Sequence, residues 1–448
     1  MMKSRWKFAF FAFLSMGSIV LVGAIVFLFS PDPFINTFLK SRITEAFREV
    51  YPAYAIEIGS IHYSVRENRV GFDSLALTNI DSTMSCTIAG FSFSGIGWLK
   101  LLWAHGLTPR GFSTAVLDAQ GIVLRFPANQ YELECEGLRV SIPDSQVVVE
   151  GLTLHPVGDD VQFFSESKFR TTRFHLVVPY ARVMGLAFLE SLKGKIYRAR
   201  TAELRDLSID VLINKDKPAE RDTVSPPMPN DIVASLDQII NVDSLIIWNG
   251  GLIYGERFTA GSKPAVMTLD SMQVLVRGID ISGNTADTAV ILAKGEFMKS
   301  AEMNILMSIP LASSGLSMEY SGSLGRMDLD ALNPFIERAE GKRFKTGTLQ
   351  NATFDIKVVD GRAGGSVRAE YKGLTLAAIN KRTGSEKGFL NQMSSFIANN
   401  IKLRTENMPD KAGAMKIGTV KYMRQRDDPF FRFVWFALRS GVGNVVGF

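Results

Sequence analysis

The sequence predicts a mainly β protein: an N-terminal transmembrane helix followed by an elongated, curled antiparallel β-sheet with a few short amphipathic helices. Three observations predict it. An uncharged, Phe/Leu/Val/Ile-rich run occupies residues 8–29. Short apolar runs with period 2 follow it through most of the chain. A six-residue phrase, clearest at Val149-Glu150-Gly151-Leu152-Thr153-Leu154, recurs among those runs.

The anchor rests on length and charge. Roughly 20 apolar residues rising ~1.5 Å each span the ~30 Å hydrocarbon core. Phe8, Phe10, Phe11, Leu14, Ile19, Leu21, Ile25 and Phe29 form the apolar body of this run. Lys3, Arg5 and Lys7 precede it, so the positive-inside rule keeps residues 1–7 cytoplasmic and sends the rest of the chain outward. The run exceeds the apolar stretch of a signal peptide, and no A-x-A cleavage site follows.

Residues 30–53 read as an amphipathic helix and connector. Ile35, Phe38, Leu39, Ile43, Ala46, Phe47 and Val50 fall at helical spacing, with Lys40, Glu45, Arg48 and Glu49 around the rest of the wheel. That polar face is not strongly basic, which favours plugging the end of a β body over lying on a membrane.

From residue 54 the pattern is β. In the repeated phrase the apolar pairs are separated by two residues, which in a regular strand would turn the second pair to the opposite face. A β-bulge, often a Gly at φ > 0, restores them to one face and bends the strand. Further Gly copies begin at Ile88, Cys135, Val276 and Tyr371; copies with Ser, Asp or Asn begin at Phe72, Leu204, Val242, Leu269 and Leu349. They have no fixed period, so a solenoid of identical turns is not expected. On one face they collect Ile58, Ile61, Phe72, Leu75, Leu77, Ile88, Phe91, Phe93, Leu138, Val140, Val149, Leu152 and Leu154 in the first half. Leu207, Ile209, Leu245, Ile247, Met272, Val276, Ile279, Leu374 and Leu376 continue that face in the second. Bulged strands with one apolar face suit a sheet that curls without closing, and these residues are the candidate lining of a groove. The alternative is an ordinary core between two closed sheets.

Residues 54–215 form the first half of the β body and 231–448 the second. Between them, 216–230 is a Pro-rich loop, with Pro218, Pro226, Pro227 and Pro229, that cannot pair as a central strand. Brief helices are expected at Val183 to Leu192 and Leu332 to Arg338, a short apolar helix or loop at Gly97 to His105, and a helical stripe from Phe389 to Ile401. The aromatic tail, Phe430 to Leu438, is too short to cross a bilayer and either caps the β body or touches a membrane.

The 448 residues carry a net charge of +5, too little to indicate nucleic-acid binding, and their mean hydropathy is +0.10. One membrane segment does not account for that hydropathy, so further apolar surface needs a partner. Cys86 and Cys135 sit at apolar strand positions and read as buried thiols, or as one disulfide in an oxidising compartment.

This order of parts resembles the AsmA-like family, which includes AsmA, TamB and YhdP. The resemblance is carried by the anchor and helix, by Ile56 to Asp81, by Trp98-Leu99-Lys100-Leu101-Leu102, and by Gly325 to Pro334, Lys345-Thr346-Gly347-Thr348-Leu349 and Ala369 to Leu374. It implies a bacterial inner-membrane, single-pass protein with a periplasmic body shaped as a half-pipe or taco. It also implies that the apolar groove binds or conducts phospholipid, or another acyl lipid, between envelope membranes in lipid transport and envelope homeostasis, with other envelope proteins as further partners. The family has no catalytic residues to transfer. A second reading is a membrane-anchored scaffold for envelope proteins without lipid transfer.

No enzyme, cofactor or metal site is expected. Ser165-Glu166-Ser167-Lys168, Ser282-Gly283-Asn284 and Lys345-Thr346-Gly347 match the elements of penicillin-recognising enzymes, but Ser165 leads into Phe169 to Arg173 without the helical apolar stripe that chemistry needs. His62, His105, His155 and His175 are far apart in sequence and lack neighbours at metal-ligand spacing. The basic last quarter, Lys342 to Arg426, reads as a solvated face or as a contact for anionic headgroups.

Overall fold

The computed structural model describes residues 40, 44, 45, 47–49, 51–64, 67–95, 113–191, 195–218, 225–281, 288–379 and 404–447. The expected anchor, the stretch from Gly97 to His105 and the stripe from Phe389 to Ile401 lie outside them. Among the described residues no helix is long and apolar enough to cross a membrane.

The strands are β1 (Tyr54–Ile58), β2 (Ile61–Ser64), β3 (Arg69–Phe72), β4 (Leu75–Asn79), β5 (Ser85–Ser94), β6 (Val116–Phe126), β7 (Tyr131–Ser141), β8 (Gln146–Pro156), β9 (Thr172–Met184), β10 (Ile196–Arg205) and β11 (Ser208–Asn214). There follow β12 (Ile239–Arg257), β13 (Ala265–Ile281), β14 (Thr288–Phe297), β15 (Ala301–Pro310), β16 (Met318–Leu324), β17 (Met327–Asp328), β18 (Lys342–Val359), β19 (Arg362–Ala378) and β20 (Gly418–Met423). Helices α1 (Asp160–Ser165), α2 (Phe188–Ser191), α3 (Pro229–Ala234), α4 (Asn333–Glu340) and α5 (Phe430–Val446) punctuate them.

The strands belong to one large sheet that is mixed, which corrects the expectation of an antiparallel one. Most neighbours are antiparallel, but β11 and β12 run parallel, Ser208 opposite Gly251 through Asn214 opposite Arg257. A parallel return needs a crossover of a dozen or more residues. The segment between the two strands, with its prolines and α3, is that crossover.

The chain forms two compact units. The first comprises Met1–Asp159, His175–Asp206 and Ser235–Asp243; the second comprises Asp160–Phe174, Leu207–Ala234 and Ser244–Phe448.

In the first unit the repeated phrase marks a two-residue step shared by neighbouring strands. Ile88 pairs with Ile122 and Gly90 with Gln120; Cys135 pairs with Leu152 and Gly137 with Glu150. Register is the same on both sides of each step. These steps are therefore not bulges with two residues opposite one: each strand inserts two residues opposite two, at one level of the sheet. Gly59-Ser60 and Asp73-Ser74 do the same where β1 passes into β2 and β3 into β4, joined by the Gly59 amide donating to the Ser74 carbonyl and the Asp73 amide to that of Ser60.

The consequence is the predicted one. Ile88 and Phe91, Ile122 and Ala119, and Cys135 and Leu138 are buried together on one face despite their two-residue gaps. Gly151 meets the backbone requirement at φ +60°, where a Cβ would be strained.

True bulges occur in the second unit. Register shifts between Asp270 and Gln273, where Ser271 sits at φ +51°, and between Leu349 and Asn351 on β18. Both lie in copies of the phrase. Helix α5 covers β19 and β20, burying Phe433, Ala437 and Val445 completely, so the aromatic tail caps this unit's core. Its approach depends on glycine: a Cβ on Gly418 would lie 2.1 Å from the Gly441 carbonyl oxygen.

Candidate functional site

Pairing sets five residues of the second unit in one transverse row. Val274 of β13 pairs with Ala293 of β14, Ala293 with Ile305 of β15, Ile305 with Gly322 of β16, and Gly322 with Phe354 of β18. Along this row runs an open hollow of about 620 Å³, which Ile246, Ile247 and Trp248 of β12 also line. Small residues leave the space, since Ala293 and Gly322 offer one methyl group between them. The Phe354 ring occupies the room beside Gly322, whose added Cβ would meet it at 2.5 Å.

Two residues further along each strand, on the same side of the pleat, lie Ile291, Met307, Tyr320 and Ile356. Met307, Tyr320 and Ile356 are buried in the core beneath α5, and the Tyr320 hydroxyl donates to the Val434 carbonyl. In the other direction Leu324 and Ala352 pack against a second core that contains Met327, Leu349, Leu374 and Val445. The row between these cores is only half-buried.

Each flanking row lies on the alternate side of the strands. One is polar: Gln273, Lys294, Asn304 and Ser323; the other is largely apolar: Leu275, Leu292, Leu306 and Ser321. Leu292 is 42% exposed and Leu306 44% on that opposite side.

One buried ion pair of this unit does a separate job. Lys215 Nζ lies 2.6 Å from Glu256 Oε1, to which the Tyr254 hydroxyl also donates at 2.7 Å. Burial lowers the Lys215 amine from its ordinary value and Glu256 opposes that shift; burial raises Tyr254 strongly. The group ties together the ends of β11 and β12.

The predicted groove residues fall into two sets. Ile61, Phe72, Leu75, Leu77, Ile88, Phe91, Phe93 and Leu138 are buried in the first unit's core, with Ile58, Val140, Val149 and Leu152 packed against it. They touch protein, because the shared steps bring every strand's apolar pairs onto one filled face. Leu154 is half-buried and lies outside that cluster. Leu207 is buried and Ile209 half-buried; Leu374 and Leu376 belong to the core around Met327. Leu245, Met272, Val276 and Ile279 are half-buried, and Ile247 lines the hollow. Val274, Ala293, Ile305, Gly322 and Phe354 were not singled out, since only the pairing of five strands makes them neighbours.

The other sequence candidates resolve as follows. Ser165 is the last residue of α1, a short helix the sequence did not suggest, and its hydroxyl donates to the Gln162 carbonyl. Lys168 lies beyond that helix, and Ser282 to Asn284 lie outside the described residues. Cys86 and Cys135 are buried thiols that form no disulfide. Two of the histidines, far apart in sequence, meet across strands: His155 and His175 face each other edge-on with ring centroids 6.4 Å apart, because β8 and β9 are neighbours.

No protein-family model matches this chain, and no curated protein matches it.

Proposed function

We propose that the half-buried apolar face of the second unit holds the acyl chain of a phospholipid or another acyl lipid. In this reading the chain is an AsmA-like protein, anchored in a bacterial inner membrane by residues 8–29, whose periplasmic sheet curls as an open half-pipe and passes lipid between envelope membranes. The observation that carries the proposal is the row from Val274 to Phe354, left half-buried between two filled cores with a hollow of about 620 Å³ along it. Ligand sites commonly measure ~300–1,000 Å³ and are mostly apolar with a few polar groups at the edge. Removing a methylene from water contributes ~0.8 kcal/mol, so ten would contribute about 8 kcal/mol before the cost of ordering the chain.

The test is mass spectrometry of lipids that copurify with the detergent-extracted full chain. Acyl lipid near one equivalent is expected, falling at least tenfold in Ala293→Trp, which fills the hollow, with the melting temperature unchanged. A lipid-free wild-type protein would overturn the reading and leave a scaffold in its place.

A further inference from the structure

A second site lies in the first unit. Arg125 of β6 pairs with Glu132 of β7, and Glu132 with His155 of β8. His175 on β9 follows one position beyond the Leu154–Leu176 pair. Glu134, two residues along β7 from Glu132, lies on the same side of the pleat.

We propose that Glu132, Glu134 and His155 form a binding site for a divalent cation of the zinc class. One ligand atom from each lies within 4.8 Å of the other two, and His155 Nε2 is 3.7 Å from Glu134 Oε1. Two ligands each ~2.1 Å from a zinc ion at tetrahedral angles stand about 3.5 Å apart, so the cluster needs only small side-chain movements to close on a metal.

The imidazole is oriented for this role. Its Nδ1 lies 3.0 Å from the Pro156 carbonyl oxygen, which can only accept, so Nδ1 carries the proton. In the neutral ring Nε2 then presents its lone pair towards the carboxylates, a poor arrangement with nothing between them and the right one around a cation. A carbonyl that fixes the tautomer of a liganding histidine is the usual outer-shell support of a zinc site.

The carboxylates are ready as well. The Arg125 guanidinium donates to Oε2 of Glu132 and fixes that carboxylate in place. Arg125 balances one of the two negative charges; the second remains close to the first, a repulsion that a cation removes. Two oxygens and one nitrogen favour zinc over calcium, which prefers six to eight oxygens. Three protein ligands leave a fourth position for water.

The experiment is calorimetric titration of zinc chloride into the untagged, detergent-extracted full chain after chelator treatment, with cobalt(II) absorption to report geometry. One equivalent should bind, with a four-coordinate cobalt spectrum, and His155→Ala and Glu134→Gln should each weaken binding at least tenfold. Both variants should melt with wild type in chelator, because the altered side chains are 31% (His155) and 50% (Glu134) exposed. No saturable zinc binding, or binding unchanged in both variants, would overturn the proposal, as would calcium displacing zinc at equal concentration.

Discussion

The two units use one sequence device to build different faces. In the first unit neighbouring strands take the two-residue step at the same level, register is preserved, and apolar pairs from successive strands stack into a filled core; Ile122 at its centre has no exposed surface. In the second unit the irregularities are true bulges on β13 and β18, which shift register between partners and bend one strand relative to the next. There the apolar face breaks into two cores with a half-buried row between them. A step shared by neighbours keeps a face continuous; a bulge borne by one strand bends it. The repeated phrase alone does not say which will occur.

The largest test of this contrast is a matched pair of truncations. Phe91 is buried and stacks on Phe72 with centroids 5.2 Å apart, so Phe91→Ala should cost about 3–5 kcal/mol. Ile305 lines the hollow and is half-buried, so Ile305→Ala should cost about 1 kcal/mol. Denaturant unfolding of the two variants measures the difference, and equal losses would mean that the faces are equally filled.

Next comes the closure of the second unit by α5. Gly418→Ala drives a methyl group towards the Gly441 carbonyl and should cost about 1–3 kcal/mol, since neither backbone can yield without lifting the helix. Amide exchange along β20 should accelerate in that variant while β5 to β7 stay protected. Uniform acceleration would show that the units do not respond separately.

Much of this architecture was legible before the structure. Strand content, the proline-rich break at 216–230 and the same-face burial of Ile88 with Phe91 follow from local patterns, which also leave the tail as either a cap or a membrane contact. Others could not be read locally. The parallel β11–β12 pair depends on where the crossover returns, and the shared steps depend on neighbours at the same level. The hollow and the cation cluster are both transverse: Val274 and Phe354 are eighty positions apart, and His155 reaches Glu132 only across a strand pair. Periodicity within a strand is blind to rows across strands.

A smaller effect concerns the step itself. Gly151 has φ +60°, so Gly151→Ala should cost about 1–2 kcal/mol for the left-handed backbone, and more if the Glu136 side chain, 2.4 Å from the added Cβ, cannot turn aside. Because Glu136 is exposed, the lower end is expected. A loss above about 3 kcal/mol would mean that the step cannot relax locally.

The smallest effect reads the filled face through its thiols. Burial pushes the Cys86 thiol up to about 12 and raises Cys135 as well. A thiol whose folded value exceeds its unfolded one contributes stability that is intact below the unfolded value, near 9, and is lost as pH rises through the folded value. Stability should therefore be insensitive to these groups below about pH 9 and decline between about 9 and 12, by about 1 kcal/mol for Cys86 at pH 10. Cys86→Ala should flatten part of that decline, and alkylation of the native wild-type protein at pH 8 should lag far behind that of the unfolded chain. Were the first unit's apolar face an open groove, water would reach Cys86, its thiol would titrate near its ordinary value, and native and unfolded chains would be alkylated at similar rates.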